Sequence, residues 1–294
     1  MAMTARPERV AAEEIRQRML DAGRELALEA GAALTIEHLR LEEVIQRARV
    51  PRSSVYRMWP YREAYIDDLL TYLAGAGSYF SDRPVNEPDT SDVASKVIAG
   101  SAHLLATPEG RRSLLCEVVR VTCTHNYDEL SASTPFRLHM ALLATLGYTR
   151  SGEARRRIAA ALEDSQLRSR ESIVTLLRTL TRVLGLRLRD PAYTLDHVQL
   201  SGGLLVQAMA MRNIQVRAVL APDGGTVPDE DEHEDDGELS LGEPRYVNDL
   251  LNAPLPGPGL DGHPAEWTLI SYAYLGIVDA FLEADPDFAP APPG

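Results

Sequence analysis

The stretch Ala48-Arg49-Val50-Pro51-Arg52-Ser53-Ser54-Val55-Tyr56-Arg57-Met58-Trp59-Pro60-Tyr61-Arg62 decides how this chain is read. Arg47, Arg49, Arg52, Arg57 and Arg62 fall within a few turns of one another, and no acid stands between Glu43 and Glu63. The whole chain of 294 residues carries a net charge of -13, so a cationic patch here runs against the overall balance. Val55 and Trp59 are four apart and would anchor a short helix inward, leaving Arg52, Ser53, Ser54 and Tyr56 outward. Such a face suits the major groove of DNA, where Arg pairs with guanine edges and Ser or Tyr hydroxyls bind phosphate.

Working outward, Ile15, Met19, Ala22, Leu26 and Ala30 keep a helical period from Glu13 to a stop at Gly31, with residues 1–12 expected as a flexible arm. A second helix is expected over Leu41–Ala48, with Leu41, Val44, Ile45 and Ala48 inward. After a turn at Arg49-Val50, Pro51 or Arg52 opens a third helix that ends before Pro60, since proline is tolerated in a first turn. A fourth starts at Tyr61 and turns Tyr65, Ile66, Leu69, Leu70 and Leu73 to one side. Short helices around one tight turn describe a helix-turn-helix head over residues 1–75. Arg52 and Ser54 are the base-reading candidates. Tyr56, Arg57 and Arg62 are expected to position the backbone, Arg62 beside the free amides that start the fourth helix. Arg47, Ser53 and Tyr61 complete the DNA-contact set.

At this point the segment resembles the DNA-binding domain of the TetR family of bacterial repressors, over roughly residues 13–73. That family shows a long first helix, an apolar-Ala-x-x-Ala-Gly-Val-Ser turn, and a recognition helix ending in Tyr-x-x-Phe before a basic residue. Val44, Ile45, Ala48, Arg49, Val50, Pro51, Tyr56, Trp59 and Arg62 stand in those places. The resemblance implies an all-α protein and a homodimer on a palindromic operator, released when a small-molecule effector enters the helical body. The chain departs from the pattern at four places. Arg49 replaces the turn glycine, where a left-handed backbone costs a non-glycine residue on the order of 1 kcal/mol and a reshaped turn is one outcome. Pro51 replaces the capping Ser, losing a hydroxyl and gaining a preset φ. Met58 stands where the family often has His or Tyr and donates no hydrogen bond to phosphate, leaving that contact to Arg57. The approach Leu34–Arg40 is longer than usual.

The remainder, 76–284, reads as a larger helical domain for effector binding and dimerisation. Beyond a linker at Asp82–Asp92 with Pro84 and Pro88, helices are expected at roughly 91–106, 110–124, 127–147, 152–186 and 194–220, with strand signals nearly absent. The segment 222–245 holds ten acids and one arginine, -9 of the total -13, and is expected to be a disordered acidic insert because it buries little apolar surface. Its placement leaves the local field at the arginine cluster positive. A short apolar piece at Tyr246–Leu251 precedes a Pro/Gly break at Pro254–Gly259. A last helix over 264–284 then carries Trp267, Ile270, Tyr274, Ile277, Val278 and Phe281, and 285–294 reads as a flexible tail.

Candidate pocket groups in the body are Cys116, Arg120, His125, Tyr127, His139 and Tyr148, each equally at home as a packing residue with one satisfied hydrogen bond. For two-fold pairing, Gly202 and Gly203 permit close approach, and Leu204, Leu205, Ala208 and Met211 offer apolar surface. Trp267, Ile270, Tyr274 and Phe281 form a second stripe, to be buried either across a dimer or within the subunit. Hydrophobic residues at 45% and charged residues at 25% describe a soluble globular protein. The longest apolar runs, such as Gly203–Met211, are too short to span a bilayer, and no secretion signal is evident. Cys116 and Cys123, seven apart on one expected helix, have Cα atoms about 10 Å apart, beyond disulfide reach. Free thiols in a cytoplasmic protein are expected. His103, Cys116, Cys123 and His125 match no compact metal-ligand spacing, so neither metal nor cofactor is expected. No nucleophile elbow, phosphate loop, dinucleotide fingerprint or zinc-protease motif occurs, so an enzyme is not expected. The competing expectation is a helical interaction module whose basic helix binds an acidic protein partner.

Overall fold

A computed structural model describes residues 5–29, 39–76, 89–146, 152–221 and 244–289. Helices account for most of them, and the chain is divided by contact into two units, 1–85 with 133–169, and 86–132 with 170–294. The sequence suggests boundaries at 75/76 and 284/285. By contact, 133–169 groups with the N-terminal helices instead.

The first unit contains α1 (Ala5–Glu29), α2 (Leu41–Ala48), α3 (Arg52–Met58), α4 (Arg62–Ala76), α7 (Thr134–Thr145) and the start of α8 (Gly152–Leu184). Residues 5–12, expected as a loose arm, belong to α1, while residues 1–4 and most of the Leu34–Arg40 approach lie outside the described residues. The core gathers Met19, Leu20 and Leu26 of α1, Val44 and Ile45 of α2, and Val55 of α3. It also holds Trp59, Tyr65, Leu69 and Leu73, with Leu138, Leu142, Ile158 and Leu162 from the later helices. A seven-residue helix is too short to hold itself in water, so α3 exists because Val55 and the adjoining Trp59 are buried. Burying a side chain of Val55's kind contributes roughly 1.5–3 kcal/mol. Two polar contacts orient the aromatics. The Trp59 indole donates to Asp68 Oδ2 at 3.1 Å, and the Tyr65 hydroxyl donates to the Met19 carbonyl at 2.9 Å. Gly23 makes room for that phenol, since a Cβ there would sit 2.2 Å from the Tyr65 oxygen.

The second unit holds α5 (Thr90–Gly100), α6 (Pro108–Ala132), the end of α8, α9 (Leu195–Leu220), α10 (Pro244–Asn252) and α11 (Leu269–Phe281). Most of the expected Asp82–Asp92 linker lies outside the described residues; its last residues supply the N-terminus of α5, where Asp89 and Asp92 form a reciprocal cap. Helix α6 runs unbroken through His125 and Asn126, where a boundary was expected. The interruption falls instead at Ser133, whose side chain caps α7 with Pro135 in the first turn.

The larger correction concerns the expected helix over 264–284. Pro264–Trp267 is β3, Thr268 caps α11 with Ser271, and Leu282–Ala284 is β4. β3 pairs antiparallel with β2 (Leu255–Pro258), and β4 pairs with β1 (Leu186–Leu188). Proline lacks the N–H that a helix needs but is tolerated in a two-stranded ribbon, which explains why Pro256, Pro258 and Pro264 sit there. The expected tail also begins later. Residues 285–289 are described, and Phe288 packs on Gly185, whose φ of +62° is open to glycine at little cost. Residues 222–243 and 290–294 lie outside the described residues.

Candidate functional site

Helix α2 ends in a left-handed residue, Arg49, with φ 54° and ψ 46°. The turn that normally recruits glycine is thus kept by arginine rather than reshaped, at a cost on the order of 1 kcal/mol. Val50 is buried and Pro51, φ -67°, precedes α3 without a side-chain cap. Two short helices are held across three residues, and the burial of Val55 and Trp59 decides which face of α3 is presented. Arg52, Ser53, Tyr56 and Arg57 are exposed, Ser54 is half-buried, and Tyr61 beyond α3 is 63% exposed.

Electrostatics sorts these side chains into groups that sequence could not separate. Arg52 and Tyr56 share one acceptor, Glu42 in the first turn of α2. The guanidinium bonds one carboxylate oxygen, and the phenol donates to the other at 2.8 Å. That hydrogen bond holds the Tyr56 hydroxyl above its ordinary pKa. Arg47 is turned elsewhere. It bonds Glu29 through both terminal nitrogens at 2.7 and 2.9 Å and reaches Glu25 at 3.5 Å, and this contact lowers the Glu29 carboxyl. This pairing links α2 to α1. Arg62 donates through Nε and Nη2 to the Leu39 carbonyl, both at 3.1 Å, tying the start of α4 to the chain entering α2. Of the expected contact residues, Arg47, Arg52, Ser53, Tyr56, Arg57 and Tyr61 are exposed, and half-buried Glu42 stands beside Arg52 and Tyr56. A signal for Glu42 existed: an acid one residue into α2, separated from Arg52 by one short turn.

The pocket candidates in the body do not gather around one space. On α6, Cys116 is buried, Arg120 is clasped by Glu117 and donates to the Glu266 carbonyl, and His125 lies 3.3 Å from Glu129. Tyr127 donates to Asn252 Oδ1 at 3.2 Å, within an amide cluster that includes Asn213 and Asn248. His139 belongs to the other unit, buried, with its pKa lowered by desolvation. Tyr148 lies outside the described residues.

The dimer candidates divide. Trp267, 1% exposed, and Ile270 are buried in their own unit, and Tyr274 lies against Gly202, where a Cβ would come within 2.3 Å of its ring. Phe281 packs edge-on against Tyr193. Trp267 and Ile270 thus take the second of the two expected fates, Tyr274 and Phe281 are half-buried, and Gly202 makes room for the Tyr274 ring. Leu204, Ala208 and Met211 are exposed on α9 and Leu205 is half-buried. Leu200 and Val219 add to the exposed side.

Among the described residues, no group of three or more His, Cys, Asp or Glu side chains is placed to hold a metal ion. No described helix is long and apolar enough to cross a membrane. Comparison with family models, curated proteins and solved structures returns no match.

Proposed function

We propose that this chain is a sequence-specific DNA-binding regulator acting as a dimer, with the exposed face of α3 as its reading surface. The observation that carries the reading is a seven-residue helix pinned from behind by Val55 and Trp59, which leaves Arg52, Ser53, Tyr56 and Arg57 toward solvent. A planar guanidinium matches the two acceptors of a guanine edge, and a phenol and a hydroxyl match phosphate oxygens. In the free protein Glu42 holds Arg52 and Tyr56, so docking exchanges a carboxylate for nucleic-acid acceptors.

Pairing of two copies is supported by Leu200, Leu204, Ala208 and Met211, spaced four, four and three residues along one exposed side of α9. A two-fold dimer reads a palindrome with half-sites about 34 Å apart. The likeness to TetR repressors supports repression relieved by a small molecule that prefers the DNA-incompetent state.

Selection of DNA fragments with the purified chain, followed by band shifts across salt concentrations, tests the reading. A palindromic site whose affinity falls steeply with salt is expected. Arg52→Ala should cost about 1–3 kcal/mol and relax preference at one base position. Binding without sequence preference, or capture of an acidic protein through the same arginines, would sink it.

A further inference from the structure

Where α6 begins, α8 ends and α11 meets β4, the second unit carries a partly open cavity of about 350 Å³. Its walls include Leu115, Leu184, Leu186 and Leu282, and three guanidinium groups, those of Arg111, Arg112 and Arg189. Two of the three are neutralised from within the unit. Arg112 bonds both carboxylate oxygens of Asp279. Arg189 lies 3.6 Å from Glu283 and donates to the Asp279 and Leu282 carbonyls at 2.7 and 3.1 Å.

Arg111 differs. It is 7% exposed, and among the described residues it meets no carboxylate. One N–H donates to the Leu105 carbonyl at 3.3 Å, and its carbon lies 4.7 Å from the centre of the Phe288 ring. A ring face partly offsets a buried cation, but it supplies no lone pair to the remaining donors. Among the described residues no acid meets this guanidinium, so its remaining donors are left to an incoming acceptor.

We infer that this cavity is a binding site for a small organic carboxylate with a short aliphatic body. The carboxylate would take two parallel N–H bonds from Arg111, the geometry that guanidinium groups favour. Leu115, Leu184, Leu186 and Leu282 would receive the hydrocarbon. Asp279 and Glu283, the two acids on the wall, are occupied by Arg112 on one side and by Arg187 and Arg189 on the other, so they do not compete for Arg111. The size suits a small ligand, since such cavities run from roughly 300 Å³ upward. None of the residues singled out from sequence lines the cavity, and the inference stands without the DNA-binding reading.

Calorimetry of the full-length chain with butyrate, hexanoate and octanoate tests it, against hexanol, hexylamine and inorganic phosphate. At least one carboxylate should bind saturably at one per chain, and tighter than hexanol, hexylamine and phosphate. Arg111→Gln should weaken that binding about tenfold or more, the effect of losing a charge-assisted pair. Ala284→Trp fills the cavity from an exposed lining position, so it decides the matter if Arg111→Gln fails to fold. It should abolish binding while circular dichroism stays unchanged. No binding by any of the three carboxylates, equal binding of phosphate or hexanol, or binding indifferent to Ala284→Trp would overturn the inference.

Discussion

Glu42 holds Arg52 and Tyr56, two side chains of the proposed DNA-reading face, so its removal tests both the contact and the proposal. Glu42→Gln keeps an acceptor for the Tyr56 hydroxyl and deletes the charge that holds Arg52. Under the proposed function it should tighten operator binding several-fold, because a negative group leaves a phosphate-facing surface. Band shifts on the selected site measure this; weaker binding would show that Glu42 itself reads a base. A second residue makes a prediction about pH. Burial favours the neutral imidazole of His139, so its folded pKa lies below the unfolded one, near 6.5. The unfolded chain therefore takes the proton first as pH falls. The stability is present above the unfolded value and is lost on descent toward the folded one. Urea midpoints should fall between about pH 7 and pH 5 in wild type and fall less in His139→Gln. Equal slopes in the two proteins would remove His139 as the cause. Histidine as a residue type says nothing about its desolvation, whereas Glu42, at the start of the helix before the turn, is legible as an acid near the arginine run.

Adjacent glycines on α9 separate two explanations for one motif. Gly202 faces the Tyr274 ring, and a methyl there would meet it at 2.3 Å; Gly203 meets only the flexible end of Gln199, at 3.3 Å. Gly202→Ala should destabilise by about 1–3 kcal/mol through overpacking. Gly203→Ala should be neutral or stabilise by up to about 1 kcal/mol, the helix propensity that glycine forgoes. Chemical denaturation of the two variants checks the contrast; a harmless Gly202→Ala would contradict the packing of α11 on α9. Element types were legible wherever the apolar period was long and uncontested, as over Leu41–Ala48 and 194–220. Boundaries failed where a distant segment competed. The run 264–284 has helical spacing throughout, yet Pro264–Trp267 pairs with Leu255–Pro258 and Leu282–Ala284 with Leu186–Leu188, because each end finds backbone partners across the unit. Ser133 with Pro135 is the local signal for the α6–α7 break, while His125–Asn126 continues the helix because nothing there removes a backbone donor.

For the molecule as a whole, the exposed side of α9 predicts the oligomeric state. Leu204, at 57% exposed, and Met211 line it in company with Leu200 and Ala208. A Leu204→Glu/Met211→Glu variant should be a monomer by light scattering, with unchanged helicity and at least tenfold weaker binding to a palindromic site, since one head then works without its pair. A dimer that survives both charges would place the contact elsewhere. Sequence by itself determined that the chain is mostly helical, that Val55 and Trp59 face inward, and that the arginines around the turn stand apart from an acidic whole. These follow from periodicity, turn chemistry and local charge, which act over a few residues. Tertiary structure alone decided which arginines are committed. Arg47 meets Glu29, Arg52 meets Glu42, and Arg111 is buried without an acid among the described residues. It also decided that Trp267 and Ile270 are buried while Leu204 and Met211 are exposed. Both depend on which distant segments share a neighbourhood, and a guanidinium's partner or an apolar side chain's burial is a property of that neighbourhood rather than of the residue.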